Sequence, residues 1–391
     1  MHKIAVIFES SPFDRKGLFN AVHNRILHLK NTGECSIDAF CIHSWDNAFT
    51  RRMRRTPHIS SRQDSIDIDG ISYRMLWYDF SIIDHIAVSK LHIPPLFFKH
   101  FIKNHLNLLS GYDLIIAHSF TGGLFARAAS ECYDIPYIVN WHGSDIHTHP
   151  WRNSLILEHT RDIMAGASCN CFVSSALKDA SEKILQGIRK EILYNGVSES
   201  FRTFPEEERL ALRNCYGIKP GTKVVAFVGS IVQVKNVLSI HPIFSTIQSQ
   251  YSGPLQFWMV GDGKLRGEIE PAMKNDPDID VRFWGNLPAE EMPAVMNCID
   301  LMILPSLNEG LPLVCAEAIR CGANVIGSDV GGISEVIGSE NVIPLNKNFV
   351  NAISLQAVRR LLNPTNQVVP SELNWYSTAA EELALINEVV M

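Results

Sequence analysis

LPSLNEGLPLVCAE, residues Leu304–Glu317, decides how this chain folds. The apolar run Leu301–Leu304 reads as a buried parallel strand. Pro305-Ser306-Leu307-Asn308-Glu309-Gly310 cannot continue it. Pro312 stands where a first helical residue would stand, and Leu313–Ile319 is a helix-forming run. Strand, polar turn and helix start present free backbone N–H groups and a positive dipole end to any anion above the sheet. Glu309 lies in the turn and Glu317 eight residues further on, in the helix. A carboxylate accepts two hydrogen bonds and suits a vicinal diol. The same pattern also fits a helix whose early acids simply complement its dipole.

The alternation extends on both sides of this stretch. Val224–Gly229, Leu255–Gly261, Val281–Trp284, Asp300–Leu304 and Ala323–Ile326 read as strands. Residues 236–250 read as a helix, Gly285-Asn286-Leu287-Pro288 leads into another, and Gly331-Gly332 opens a further one. This predicts a βαβ domain with a parallel sheet. Lys235 follows Gly229 by six residues, between strand and helix, where it can reach phosphates at the strand ends or remain a solvated surface lysine.

The first half repeats the theme. Lys3–Phe8 is a strand, Gly17 lies in the loop after it, and Leu18, Val22, Ile26 and Leu29 have helical spacing. There is no GxGxxG, so a dinucleotide fingerprint is absent. Tyr112–His118 and Pro136–Trp141 are buried strands, and the second runs into His142-Gly143-Ser144-Asp145. Ligands of open α/β sheets collect beyond the carboxyl ends of strands, and His142 is placed there. HGSDIHTHP has neither metalloprotease nor zinc-finger spacing, so no metal site is predicted. Strands at Cys169–Ser174 and Glu191–Tyr194 precede the polar segment Ser198–Lys219, which marks a boundary. The predicted organisation is residues 1–196, residues 197–370, and a C-terminal helix over 371–391 that packs back on the first domain.

The chain has 391 residues and a net charge of −6, which does not favour generic nucleic-acid binding. Residues 1–200 carry 21 basic and 20 acidic side chains, the remainder 14 and 21, so the first half is the more basic. Nine cysteines without a CxxC pair suggest a reducing, cytoplasmic setting. No apolar run reaches the ~20 residues of a membrane span. Arg51, Arg52, Arg54, Arg55 and Arg62 form a basic stretch. Residues 88–109 interleave Lys90, Lys99 and Lys103 with Leu91, Ile93, Leu96, Phe97, Phe98, Phe101, Ile102 and Leu106. That pattern fits either a helix packed on the sheet or peripheral contact with an anionic membrane.

Two Rossmann-like halves with Glu309 and Glu317 in the second resemble glycosyltransferase family four. The resemblance rests on VGS…K, MVGDG, FWGNLP and PSLNEGLPLVCAEAIRCGANVIGSDVGGISEVI, with Gly17 and HGSD in the first half. It implies an α/β GT-B fold, two Rossmann-like domains facing across a cleft. It further implies a retaining transferase that uses a nucleotide-sugar, a UDP-sugar foremost, with no cofactor or metal. The acceptor would be a glycan or lipid-linked glycan on the first domain, the donor lying on the second. By the same resemblance Glu309 binds sugar hydroxyls, and the amides of Gly310, Leu311, Pro312 and Leu313 hold sugar and diphosphate. Glu317 binds the ribose, Lys235 neutralises the leaving diphosphate, Asn286 and Leu287 flank the base, Gly17 lies on the acceptor side and His142 lies near the reacting sugar. Ser230 replaces a common arginine, which leaves one of two usual phosphate-binding cations. A nucleotide-sugar epimerase or hydrolase and a non-catalytic binding homologue are the alternatives. No two-carboxylate hydrolase arrangement is identifiable.

Overall fold

The computed structural model describes residues 1–13, 17–54, 56 and 58–390. Arg55 of the basic stretch lies outside them. The chain divides into two units, Met1–Asn195 with Trp375–Met391, and Gly196–Asn374.

The first unit holds an eight-stranded sheet. Its strands are β1 (His2–Glu9), β2 (Cys35–Asp46), β3 (Ser65–Ile68), β4 (Ile71–Phe80), β5 (Leu114–His118), β6 (Tyr137–Trp141), β7 (Cys169–Phe172) and β8 (Lys190–Ile192). Their spatial order is β3-β4-β2-β1-β5-β6-β7-β8. All pairs are parallel except β3 with β4. Ile4, Val6 and Phe8 of β1 pack with Phe19, Val22 and Ile26 of the helix Gly17–Asn31. The C-terminal helix Trp375–Val390 buries Leu385 and Ile386 in the same cluster. Gly122 lets the helix Ser119–Tyr133 lie against β1, since an added Cβ would sit 2.5 Å from the Ile7 carbonyl oxygen.

The second unit holds six parallel strands: β9 (Lys223–Val228), β10 (Leu255–Val260), β11 (Val281–Gly285), β12 (Leu301–Leu304), β13 (Asn324–Ser328) and β14 (Val342–Ile343). Their order is β11-β10-β9-β12-β13-β14. The chain therefore winds one way from β9 to β11 and the other way from β12 to β14. The reversal falls between β9 and β12, where open α/β sheets form a ligand crevice. In the first sheet the reversal falls between β1 and β5.

The helix after the Leu304–Glu317 turn starts at Leu313, with Pro312 as its cap at φ −81° and ψ 86°. Pro312 is thus one residue outside the helix rather than its first residue. Among the described residues, no helix is long and apolar enough to cross a membrane.

Candidate functional site

In the second unit, the loops after β9 and β12 meet at the reversal point. Lys235 comes from the first and Glu309 from the second. Lys235 Nζ donates to Glu309 Oε1 at 2.6 Å, and Ser306 Oγ donates to the same oxygen at 2.6 Å. The Leu307 amide donates to the Val234 carbonyl at 2.8 Å, which clamps the two loops through their backbones. A third loop supports Glu309 from behind. Gly331 has φ +52°, and a Cβ there would lie 1.9 Å from the Glu309 carbonyl oxygen. The Gly332 amide donates to the Gly310 carbonyl at 3.0 Å.

The amides of this turn are not equivalent. Pro312 has no N–H, and the Leu313 amide is spent on the Leu311 carbonyl at 3.0 Å. Gly310 and Leu311 supply the amides that no described group accepts. The expectation that all four positions offer donors is corrected to these two. Glu317 sits on the helix behind them, and burial alone pushes its carboxyl up to about 7.

The loop after β10 closes on the loop after β9. Ile231 N donates to the Asp262 carbonyl at 3.0 Å, and Leu265 N donates to the Ile231 carbonyl at 3.1 Å. Gly261 and Gly263 allow this approach, because a Cβ at either would fall within 2.3 Å of a carbonyl oxygen of Gly229 or Ile231. Ser230 is exposed here. Lys264, also exposed, is carried by the clamped loop beside it. Asn286 and Leu287 follow β11, and Gly285 O accepts from Gly261 N at 2.8 Å. The carboxyl edge of one sheet thus carries Ser230, Lys235, Lys264, Asn286, Leu287 and Glu309.

In the first unit, His142 follows β6 and His118 ends β5. His118 Nδ1 and His142 Nε2 are 3.0 Å apart. One must donate and the other accept, so at least one ring is neutral. Burial, then the like charges of His142 and Arg25, drives His118 well below the usual histidine range. Burial, then Arg25, holds His142 at about 3. The pair is therefore uncharged near neutrality. Asp145 fixes the loop by accepting from the amides of His142 at 3.1 Å and Gly143 at 2.8 Å. Gly17 opens its helix, and an added Cβ there would meet no atom of the described residues within 4 Å.

Comparison with known proteins gives the family and the fold. The model for "Glycosyl transferases group 1" matches residues 222–363, and that for a "Glycosyl transferase 4-like domain" matches residues 48–195. Together they cover most of both units. The chain belongs to the group 1 glycosyltransferases, of GT-B type. TuaC of Bacillus subtilis, named for teichuronic acid biosynthesis, is 27% identical over 63% of this chain and 61% of its own length. An Escherichia coli UDP-Gal:alpha-D-GlcNAc-diphosphoundecaprenol alpha-1,3-galactosyltransferase is 24% identical over 64% of this chain and 68% of its own. Among solved structures, sucrose-phosphate synthase from Thermosynechococcus elongatus superposes with a TM-score of 0.77 at 18% identity, over 99% of each chain. Anabaena HepE, in complex with UDP and glucose, gives 0.68 at 16% identity, over 99% of this chain and 98% of its own. These likenesses establish the fold.

The structure brings Lys235 and Glu309 into direct contact. Glu317, Ser230, Asn286 and Leu287 belong to the same unit, while His142 and Gly17 belong to the other. Sequence reading missed His118, Ser306, Lys264 and Gly331. His118 ends a strand just as Trp141 precedes His142, so the rule that placed one could have found the other. Gly331 meets Glu309 across 22 residues, which no local pattern announces, whereas Ser306 stands three residues before Glu309 in the same turn and its S-x-x-E spacing was an available signal.

Proposed function

We propose that this chain moves a sugar from a nucleotide-sugar, a UDP-sugar foremost, to a hydroxyl of a glycan or lipid-linked glycan. Retention at the anomeric carbon and independence of bound metal are part of the reading. The meeting of Lys235 with Glu309 at the sheet's reversal point carries it. As the bond from sugar C1 to the diphosphate breaks, positive charge grows on the ring and negative charge on the leaving oxygen. Lys235 and the Gly310 and Leu311 amides answer the negative charge. Glu309 turns from Lys235 to the sugar hydroxyls. The acceptor oxygen bonds C1 on the face the phosphate leaves, and its proton passes to the departing phosphate oxygen.

The remaining roles follow from position. Glu317, a half-buried carboxyl without a partner among the described residues, takes the ribose hydroxyls. Asn286 and Leu287 flank the base. Lys264 supplies the second cation that Ser230 does not. Neutral His142, oriented by His118, hydrogen-bonds the transferred sugar, and Gly17 leaves its backbone open to the acceptor. The HepE complex with UDP-glucose and the UDP-Gal-using Escherichia coli relative support a UDP donor. The TuaC and Escherichia coli names support cell-surface polysaccharide synthesis. Nine free cysteines support a reducing compartment.

Thermal melting against UDP, GDP, ADP and their sugars, with and without a chelator, tests this reading. UDP or a UDP-sugar is expected to raise the melting temperature equally in both conditions, with the rise lost in Lys235→Ala. If no nucleotide raises it, the donor site assigned here is wrong.

A further inference from the structure

Residues 88–109 left two readings open, a helix packed on the sheet or a membrane-facing segment. The structure divides them. The helix Phe98–His105 buries Phe98, Phe101 and Ile102 and points Lys99 and Lys103 to solvent. It is an ordinary packed helix. The apolar side chains that remain exposed lie just upstream: Ile82, Ile83, Ile86, Leu91, Leu96 and Phe97. Four of these, Ile83, Leu91, Leu96 and Phe97, are more than half exposed. Scattered exposed leucines are normal, but so many within sixteen residues form a patch that calls for a partner.

The patch is built, not loose. Asp84, fully buried, accepts from Ser81 N at 3.0 Å, Ser81 Oγ at 2.7 Å and, from the far end of the excursion, Leu96 N at 2.9 Å. The Ile93 amide returns to the Ala87 carbonyl at 3.1 Å. Asn153 Nδ2 donates to the Leu91 carbonyl at 3.0 Å, which brings exposed Trp151 and Leu155 beside the patch. On the other flank, the Arg54 guanidinium lies 3.9 Å over Phe80, the residue before Ser81. Arg54 ends the short helix Ala48–Arg54, which exposes Phe49 and Met53 alongside Arg52.

Charge selects the occupant. Between Ser81 and Ser110 the one acid is Asp84, and its carboxylate is consumed inside the fold. Exposed Lys90, Lys99 and Lys103 have no acid to balance them in that span. An apolar surface with exposed lysines close by in the chain, Lys90 beside Leu91 and Lys99 two residues after Phe97, complements acyl chains beneath phosphate headgroups.

We propose that this surface docks on an anionic phospholipid bilayer. Ile83, Leu91, Leu96 and Phe97 enter the headgroup–acyl boundary, and Lys90, Lys99 and Lys103 meet lipid phosphates. The patch follows the carboxyl ends of β2 and β4, the same sheet edge that carries His142 after β6. A membrane-borne acceptor would reach the first unit on that edge. This last step rests on the transferase reading; the docking itself does not.

Flotation of the full chain with phosphatidylcholine vesicles, with or without phosphatidylglycerol, tests the proposal. The protein is expected to float only with the anionic vesicles, less at high salt. Leu91→Ser/Leu96→Ser/Phe97→Ser should weaken partitioning by at least about tenfold. Lys90→Glu/Lys99→Glu should do the same through charge. Both variants should keep the wild-type melting temperature and nucleotide response, which separates loss of docking from loss of the donor site. Indifference of the wild type to anionic vesicles would overturn the proposal. So would full binding by the serine variant, or a wild-type dimer in sedimentation velocity that the serine variant dissociates.

Discussion

Lys235 and Glu309, 74 residues apart in sequence, form an ion pair of 2.6 Å across the reversal point of the second sheet. Both are mostly shielded from solvent, and Ser306 holds Glu309 from the other side. The proposed roles send them to opposite ends of a donor, Lys235 to the diphosphate and Glu309 to the sugar. Their pairing keeps each charge compensated until the donor provides better partners. Lys235→Ala and Glu309→Gln are each expected to lower kcat/KM for the donor by about 10²- to 10³-fold. The double variant should lose less than the product of the two, because either change already disrupts the same arrangement. Full turnover in Glu309→Gln would remove it from the sugar-binding role.

Both sheets were legible where strands are buried on two faces, because those strands read as unbroken apolar runs. VVAFVG and LMIL are examples. β2 and β4 were not assigned. Ile71–Phe80 alternates buried and exposed positions, and Cys35–Asp46 mixes apolar with polar residues toward its end. Asp69-Gly70, both with positive φ, marks the β3–β4 hairpin and was available as a turn signal. Glu309, Lys235 and His142 were placed by their position after strands, but their partners were not. His118 reaches His142 only once the chain has passed from β5 to β6, and a pattern of nearby residues does not encode that crossing; Ser306, three residues before Glu309 in the same loop, was within local reach and was overlooked. The apolar segment after Pro94 shows the same limit, since composition alone did not separate exposed Leu96 and Phe97 from buried Phe98 and Phe101.

Gly331 offers a way to move Glu309 without altering its side chain. Its φ of +52° and the 1.9 Å approach of a hypothetical Cβ to the Glu309 carbonyl leave no room for alanine. Gly331→Ala is expected to cost about 2 kcal/mol or more, combining left-handed strain with displacement of the loop. It should also cost more than tenfold in donor turnover. Gly338→Ala is the control. It too has a positive φ, +85°, but its obstacle is the flexible end of Glu340. It should lower stability while sparing turnover in the surviving folded fraction. Equal effects on turnover would mean that Gly331 does not support Glu309 specifically.

Glu317 predicts a pH signature. Burial raises its carboxyl from 4.5 to about 7. Between those values the native state keeps a proton that the unfolded chain has released. The stability held by the neutral carboxyl is therefore complete below 4.5 and declines as pH climbs through 7. Glu317→Gln should flatten that decline and melt higher than the wild type at alkaline pH. Nucleotide affinity should move the other way, rising through pH 7 in the wild type as the carboxylate forms, and lower by about tenfold in the variant. A variant that binds nucleotide as tightly as the wild type would separate Glu317 from the ribose.

Arg25 and Glu382 tie the C-terminal helix to the first unit from inside. Arg25 Nη1 lies 3.5 Å from Glu382 Oε1, and both side chains are almost wholly buried. The guanidinium also donates to Asn195 Oδ1 at 3.0 Å, Asn140 Oδ1 at 3.3 Å and the Leu193 carbonyl at 2.7 Å. Burial raises the Glu382 carboxyl, and the Arg25 charge opposes that rise. Glu382→Ala leaves a guanidinium uncompensated in the core and should cost about 3–5 kcal/mol in urea unfolding. Arg25→Met/Glu382→Leu removes both charges and should recover most of that loss, since apolar packing often equals a buried ion pair. Asn140 lies two residues before His142, so Glu382→Ala should also slow transfer, through the loop that positions the histidine. If the double variant proves no more stable than Glu382→Ala, the loss comes from packing or the Asn140 and Asn195 contacts and not from the stranded charge.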